Sequence, residues 1–223
     1  MKVSAFARNM LNRAILHSMD NPSSIGLLNG QMGLLIVIAQ CSRQWNMPSL
    51  DRAADFIFEY VSENTGRIND CGFANGLCGM CWGVEYLVQK GLMPPPANNI
   101  CEDIDRRIVM SDIRNISDFS FDTGLLGRWF YVSARIAGNI KANIPIPFPD
   151  IYISDWQQVL RLHPEAFPSD SIEWLNSAIS GEQMSVNLSI KPFIKPMKRC
   201  PRNNLSLHDG IAGYIATHYL TDI

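Results

Sequence analysis

The 223-residue chain has little net charge and no long apolar run. Its 19 Lys and Arg residues nearly balance its 21 Asp and Glu residues, for a formal net charge of -2. Such a balance gives no electrostatic reason to expect nucleic acid or an anionic membrane as the main partner. The longest apolar run in the interior, residues 34–39, is far too short to cross a bilayer. We therefore expect a partner that is neither nucleic acid nor membrane.

The sequence also lacks a recognisable secretory signal and a regular cysteine framework. One basic residue, Lys2, precedes the apolar residues 3–7, which are too few for a signal-peptide core. Six cysteines are scattered between Cys41 and Cys200, an arrangement that favours reduced thiols over disulfides in a chain of this length. These features predict a cytoplasmic protein.

What the chain does contain is the pattern Gly-x-x-Gly in four copies. The residue before each first glycine is Asn, Thr or Asp, and the side-chain oxygen of these residues can cap a helix. The residues after each pair are mainly apolar on every side, which is typical of a buried helix. The copies are Asn29-Gly30-Gln31-Met32-Gly33, Asn75-Gly76-Leu77-Cys78-Gly79, Thr123-Gly124-Leu125-Leu126-Gly127 and Asp209-Gly210-Ile211-Ala212-Gly213. We predict four inner helices whose glycines let another backbone approach closely.

Amphipathic helices are predicted to alternate with the inner ones, over residues 5–19, 50–63 and 99–110. The first three copies are evenly spaced, and the interval before the fourth is nearly twice as long. We expect that interval to hold one repeat that has lost its glycines, with helices over 155–163 and 169–179, the first of them capped by Ser154.

Two proline-rich segments flank this degenerate repeat. Residues 143–150 are predicted to be an extended loop, because each proline removes a hydrogen-bond donor. Residues 191–202 concentrate five basic residues among three prolines and are predicted to be a solvated connecting loop.

Helical hairpins that repeat with this spacing stack on their neighbours in an open superhelix or a closed ring. Inner helices that are apolar all round favour the ring. The predicted fold is therefore all-α: an α/α toroid of repeated helical hairpins, with inner helices introduced by Gly-x-x-Gly and a single domain over residues 1–223.

Three stretches of the chain resemble the lanthionine synthetase C-like family: residues 75–87, 122–127 and, most closely, 205–214. The resemblance implies an α/α toroid and the zinc-assisted addition of a cysteine thiol to a dehydrated serine or threonine of a peptide. The family holds zinc in Trp-Cys-x-Gly and Cys-His-Gly motifs, and neither occurs in this chain. The resemblance thus implies a peptide-binding or accessory, non-zinc component of ribosomal peptide modification. Its expected partners are a ribosomally made peptide or a peptide-modifying enzyme, and no cofactor is expected.

The four inner helices marked by Gly-x-x-Gly and the one in the degenerate repeat are fewer units than a full ring of that family contains. An incomplete ring leaves apolar helix flanks exposed, and such flanks normally find a partner. We therefore expect either a smaller ring in which residues 143–150 fill the gap, or an open crescent whose ends are covered by a second copy in a homodimer.

Cys71, Cys78 and Cys81 are candidates for a metal site. They include one Cys-x-x-Cys, but no second pair or nearby histidine completes a zinc set. The first turn of a helix favours the thiolate of Cys78. A role as buried structural cysteines is the favoured interpretation.

Asp122, His208 and Asp209 are candidates for a catalytic or binding site. They lie at predicted helix starts, where they can converge with Asn29 and Asn75 at one end of the fold. Helix capping is the structural alternative for both aspartates. His208 can equally be a loop histidine that has no catalytic or binding role.

Glu85 is a further candidate, because it lies on a predicted buried helix and a carboxylate is rarely buried unpaired. A structural ion pair with Arg128 or Arg135 is favoured over an acid/base role. The functional alternative to peptide binding is an α/α-toroid enzyme that acts on carbohydrate by paired carboxylates. That chemistry requires two close carboxylates, among Asp70, Asp118, Asp122 and Asp209, and aromatic platforms at the same end of the fold.

Overall fold

The computed structural model describes residues 4–20, 24–94, 97–182, 186, 188–221 and 223. These residues form nine α-helices joined by loops and short 3₁₀ turns, and they contain no β-strand. The all-α prediction is confirmed. Within the same ranges, every helix is too short or too polar to traverse a bilayer.

The helices begin close to where the sequence predicts them. They are α1 (Ala5–Asp20), α2 (Gln31–Trp45), α3 (Asp51–Asn64), α4 (Leu77–Gln89), α5 (Asn98–Val109), α6 (Leu125–Lys141), α7 (Asp150–Leu162), α8 (Ser171–Ile179) and α9 (Ile211–Tyr219). Helices α2, α4, α6 and α9 each start directly after the first glycine of a copy. The main difference is α7, which begins at Asp150 behind Pro149, so that the predicted cap Ser154 lies inside the helix.

Each of these four helices is preceded by a loop of one common form, which we call a mouth loop (residues 24–30, 70–76, 118–124 and 204–210) and which ends at the first glycine of the copy. The first amide of each helix donates to the carbonyl of the residue that opens its mouth loop. These bonds are Gln31 to Ser24 (2.8 Å), Leu77 to Asp70 (2.9 Å), Leu125 to Asp118 (2.9 Å) and Ile211 to Asn204 (2.7 Å). A mouth loop therefore satisfies an otherwise unpaired amide of its own helix.

This arrangement contradicts the predicted side-chain caps. The capping position of α2, α4, α6 and α9 is the first glycine itself, and no side chain of the described residues caps any of the four helices. Asn29, Asn75, Thr123 and Asp209 are exposed instead. The reason is that backbone carbonyls of the mouth loop take at least one of the amides that a side chain would otherwise cap.

The second glycine of each copy is required by the same loop. A Cβ at this position would collide with a mouth-loop carbonyl, that of Leu27, Phe73, Phe121 or Leu207 in the four copies respectively. Among these four second glycines, the approach of another copy is closest at Gly33 and Gly127, where the added Cβ would also collide with the Cβ of Leu207 and of Phe73 respectively. The second glycine therefore allows close contact with the carbonyl of its own mouth loop and, at Gly33 and Gly127, also the predicted close approach of another element.

Backbone hydrogen bonds link the mouth loops in series. Ordered by donor and acceptor, they run from Leu207 and His208 to Leu28 (2.9 and 3.1 Å), from Leu28 to Ala74 (2.8 Å), and from Phe73 and Ala74 to Asp122 (2.8 and 3.0 Å). The fourth copy is therefore the spatial neighbour of the first. In agreement with this order, α9 packs against both α1 and α2, and α4 packs against α6.

The segment of residues 190–195 contacts both the third and the fourth mouth loop. The ring of Phe193 stacks on Phe121, with 5.4 Å between centroids. The amide of Lys195 donates to the carbonyl of His208 at 2.7 Å. The predicted solvated loop therefore has exposed basic side chains but also an aromatic side chain, Phe193, buried against Trp82 and its neighbours.

Residues 143–150 lie elsewhere. The amide of Ile144 donates to the carbonyl of Asn139 at 3.0 Å, and the Asn139 side chain donates to the carbonyl of Pro145 at 2.7 Å. These bonds hold the segment at the carboxyl end of α6, whereas the mouth loops lie at the amino ends of the inner helices. Residues 190–195, and not residues 143–150, therefore contact the third and fourth mouth loops, while the prediction that residues 143–150 fill a gap in a ring stays a prediction.

Candidate functional site

Three mouth loops and His208 of the fourth line an open cavity of about 220 Å³, which we call the mouth pocket. Its lining is Leu28, Asn29, Asp70, Ala74, Asn75, Asp122, Thr123 and His208. The structure thus brings together Asn29, Asn75, Asp122 and His208, which the sequence placed at one end of the fold. Their convergence follows from the backbone bonds that hold the mouth loops side by side.

Several polar groups of the mouth pocket are available to a ligand. The side chains of Asn29, Asn75 and Asp122 are exposed and make no hydrogen bond to any other described residue. One oxygen of the Asp70 carboxylate accepts from the amide of Gly72 at 2.7 Å. Among the described residues, the lining contains two carboxylates and two carboxamides but no Lys or Arg, so its electrostatics favour a ligand with cationic or hydrogen-bond-donating groups.

His208 is held in one orientation at the edge of the mouth pocket. Its Nδ1 lies 2.7 Å from the carbonyl oxygen of Phe193. A carbonyl can only accept, so Nδ1 carries the proton and donates. In the neutral imidazole, Nε2 is then the acceptor and is the nitrogen left for a ligand.

Asp209 is not in the lining of the mouth pocket. Its Oδ1 accepts from the hydroxyl of Ser206 at 2.8 Å and from the amide group of Asn204 at 2.7 Å. The bonds from Ser206 and then Asn204 lower the pKa of the Asp209 carboxyl. Asp118 braces the third mouth loop in a similar way, by accepting from Thr123 at 2.7 Å. Both carboxylates hold loops rather than face the cavity.

Glu85 has the structural partner that the sequence predicted. Its Oε1 lies 2.9 Å from the guanidinium of Arg135, while Arg128 instead donates to the hydroxyl of Ser111. The same guanidinium binds Asp105 through two nitrogens, at 2.9 and 3.0 Å. Glu85, Asp105 and Arg135 are at most 3% exposed, so this cluster is closed to substrate.

Asp105 was missed by the sequence reasoning. It lies on the apolar face of α5, four residues after Cys101 and three before Ile108, and that position was the available signal. The hydroxyl of Tyr131 also donates to it. Burial raises the pKa of both Asp105 and Glu85, since two carboxylates share a single guanidinium in a desolvated site.

The cysteine candidates do not form a metal site in the described part of the chain. Cys78 and Cys81 are fully buried and Cys71 is partly buried. Burial raises the pKa of the Cys78 and Cys81 thiols, so the expected thiolate of Cys78 is disfavoured. No group of three or more His, Cys, Asp and Glu side chains among the described residues has a metal-binding arrangement, and these residues do not fit the zinc of the resembled family.

No protein-family model matches the chain, and no curated protein or solved structure matches it either. The mouth loops and the pocket that they form are therefore the features of the molecule that bear on its function.

Proposed function

We propose that the chain is a lanthionine synthetase C-like protein with an α/α toroid fold. We propose further that it binds a peptide at the mouth pocket, as an accessory, non-zinc component of ribosomal peptide modification. The observation that carries the proposal is the serial hydrogen bonding of the mouth loops, which puts the fourth copy beside the first. A toroid requires that neighbourhood, whereas an open superhelix separates its first and last units.

The chemistry of the mouth pocket supports a peptide with basic residues. The carboxamides of Asn29 and Asn75 can each donate and accept, as the backbone of an extended peptide requires. The unpaired carboxylate of Asp122 can bind a lysine ammonium or a peptide amino terminus. A peptide, rather than one small molecule, is favoured because these groups come from separate mouth loops and lie on an exposed surface.

Two fluorescein-labelled peptides of equal length test this proposal, one of alternating Ser and Lys and one of alternating Ser and Glu. Fluorescence anisotropy should show saturable binding of the Lys peptide only. Asp122→Asn should weaken that binding about tenfold, the effect expected for one charge-assisted hydrogen bond. Asp103→Asn, which changes an exposed carboxylate on α5, is the matched control and should leave binding unchanged. Equal binding of the two peptides, or equal affinities of the two variants, would refute the proposal.

One observation favours the alternative, an enzyme that cleaves carbohydrate by paired carboxylates. Asp70 and Asp122 line the same cavity. Against it, the described lining contains no aromatic platform for a sugar. The alternative predicts that the protein releases reducing ends from at least one member of a panel of glycans, and that Asp70→Asn and Asp122→Asn each abolish the release. The absence of release from every glycan tested would exclude it.

A further inference from the structure

Another open cavity, of about 250 Å³, lies between the carboxyl half of α1 and the residues that lead into α9, and we call it the α1 groove. It shares no residue with the mouth pocket. The α1 residues of its lining recur every three or four positions and therefore lie on one face of the helix. The groove is thus built from both ends of the described chain, where α1 packs on α9. Its described lining is Arg13, Leu16, His17, Asp20, Arg202, Asn203, Leu205 and Ile211.

Two guanidinium groups of the α1 groove are without a hydrogen-bonded or ionic partner among the described residues. The side chains of Arg13 and Arg202 are exposed, and neither makes a hydrogen bond or an ion pair with another described residue. Asp20 lies in the same lining but pairs with neither arginine. The five N–H donors of each guanidinium are therefore available to a ligand.

Arg13 lies near the segment that carries Arg202. Burial raises the pKa of the Cys200 thiol, and the nearby guanidinium of Arg13 opposes this shift. Cys200 precedes Arg202 by only two residues. Two positive charges that line one groove repel each other, and an anion bound between them removes that repulsion. The electrostatics of this part of the groove therefore favour an anion.

The donors of the α1 groove favour a phosphate over a carboxylate. A guanidinium matches either group with two parallel hydrogen bonds. A phosphate monoester, however, has three terminal oxygens and close to two negative charges near neutral pH, so it can serve both arginines at once. His17, one helical turn after Arg13, supplies a further N–H donor for the third oxygen.

The rest of the groove suits a small hydroxylated body. Asp20 is seven residues after Arg13, about 10 Å further along the helix axis, so its carboxylate is set apart from an anion at Arg13. A carboxylate accepts hydrogen bonds from hydroxyl groups. A cavity of about 150 Å³ holds one benzene molecule, and sites for drug-sized ligands start at about 300 Å³. The volume of about 250 Å³ therefore suits one sugar ring that carries a phosphate.

We infer that the α1 groove binds a small sugar phosphate. The phosphate lies between Arg13 and Arg202, and hydroxyl groups of the sugar donate to Asp20. This inference does not depend on peptide binding at the mouth pocket.

Glucose 6-phosphate, inorganic phosphate and glucose test the inference in calorimetric titrations at one ionic strength. Glucose 6-phosphate should bind saturably and about tenfold more tightly than inorganic phosphate, the effect of one to two hydrogen bonds from the hydroxyl groups. Glucose, which lacks the phosphate, should show no saturable binding over the same concentrations. In ¹H–¹⁵N NMR spectra, glucose 6-phosphate should shift the backbone amides of His17 and Asn203, while those of Asn75 and Thr123 in the mouth pocket stay in place.

Variants of exposed side chains separate the contacts to the phosphate from those to the sugar. Arg13→Gln and Arg202→Gln should each weaken the binding of glucose 6-phosphate about tenfold, the loss of one charge-assisted contact. Arg8→Gln, which changes an exposed arginine of α1 outside the groove, is the matched control and should leave the affinity unchanged. Asp20→Ala should not weaken the binding of inorganic phosphate, but it should lower the preference for glucose 6-phosphate several-fold.

The inference is overturned if glucose 6-phosphate shows no saturable binding, or if inorganic phosphate binds as tightly as glucose 6-phosphate. It is also overturned if either groove arginine variant keeps the affinity of the Arg8→Gln control, or if Asp20→Ala keeps the full preference.

Discussion

At the scale of single residues, the least ordinary feature is the buried cluster in which one guanidinium, that of Arg135, serves the carboxylates of Glu85 and Asp105. With all three groups ionised, the cluster carries one net negative charge in a desolvated site. Each carboxylate is thus more easily protonated in the folded protein than in the unfolded chain, and this difference makes stability depend on pH.

We predict that Glu85→Gln removes part of that dependence. The pKa of Glu85 is raised in the folded protein from its ordinary 4.5. As the pH rises through 4.5 toward the raised value, the unfolded chain releases its proton first, which lowers the stability of the wild-type protein. Below about pH 4 this contribution is constant. Relative to Glu85→Gln, the wild type should therefore lose stability progressively as the pH rises above that point.

Urea unfolding of both proteins between about pH 4 and pH 7 measures the effect. Asp103→Asn is the control, because Asp103 pairs with Arg106 on the solvent-exposed face of α5 and its side chain is 86% exposed. A difference between wild type and Glu85→Gln that stays constant across this pH range would contradict the assigned direction of the pKa shift.

The second glycines of the copies give another prediction at this scale. Gly79→Leu and Gly127→Leu should each lower the free energy of unfolding by more than about 3 kcal/mol, because the new side chain would overlap backbone carbonyls that cannot move aside. Gly66→Leu is the matched control, since a Cβ there meets no atom within 4 Å, and it should cost less than about 1 kcal/mol. Thermal unfolding of the three variants tests this prediction. An unchanged unfolding midpoint for Gly79→Leu or Gly127→Leu would contradict the close contact between the second glycine and the mouth-loop carbonyl.

At the scale of elements, the helix starts were predictable because a glycine pair followed by an all-round apolar segment marks them directly in the sequence. The capping chemistry was not predictable in the same way. The partners of the first amides are backbone carbonyls, and every residue has one. A pattern was nevertheless present: the residue that opens each mouth loop is Ser24, Asp70, Asp118 or Asn204, and in the last three its side chain accepts from the amide two residues later.

The interval before the fourth copy contains a contact that could not be predicted from the sequence. Two proline-rich segments, 143–150 and 191–202, were equally able to lie beside the mouth loops by composition. The position of Phe193, which contacts aromatic side chains from two different mouth loops and from α4, decides between them. Such a long-range contact has no local signature. The convergence of Asn29, Asn75, Asp122 and His208 was predictable because repeated elements place equivalent positions at the same end.

The hydrogen bonds between mouth loops predict unusual protection for loop residues. The amides of Leu28, Phe73 and Leu207 should exchange with solvent as slowly as amides inside the inner helices, because each donates at 2.8–2.9 Å to the neighbouring loop. The amides of Lys198 and Asn203, which make no hydrogen bond to a described residue, should exchange fast. Hydrogen exchange followed by NMR measures this, and fast exchange of the first three amides would contradict the series of linked loops.

At the scale of the whole molecule, α9 packs on α1 and α2, so the two ends of the described chain meet. This contact leaves the fourth copy with a neighbour on its α2 side. The expected homodimer, in which a second copy covers exposed flanks, stays a prediction, which light scattering over a range of concentrations tests.

We predict that the purified protein carries no stoichiometric zinc. The physical reason is that Cys78 and Cys81 are buried with raised thiol pKa values, whereas zinc requires thiolates. Elemental analysis of protein purified without chelators makes the measurement. One zinc per chain that is lost in Cys78→Ser and Cys81→Ser variants would show that these cysteines bind metal.

The central claim is that the mouth loops of the four copies form one peptide-binding surface. Its most direct test is an amide ¹H–¹⁵N NMR titration with the alternating Ser and Lys peptide. The account predicts saturable shifts of the side-chain amides of Asn29 and Asn75 and of the backbone amides of Thr123 and His208, with α5 and α7 unaffected. Shifts confined to the basic segment 191–202, or no shifts at saturating peptide, would contradict the claim.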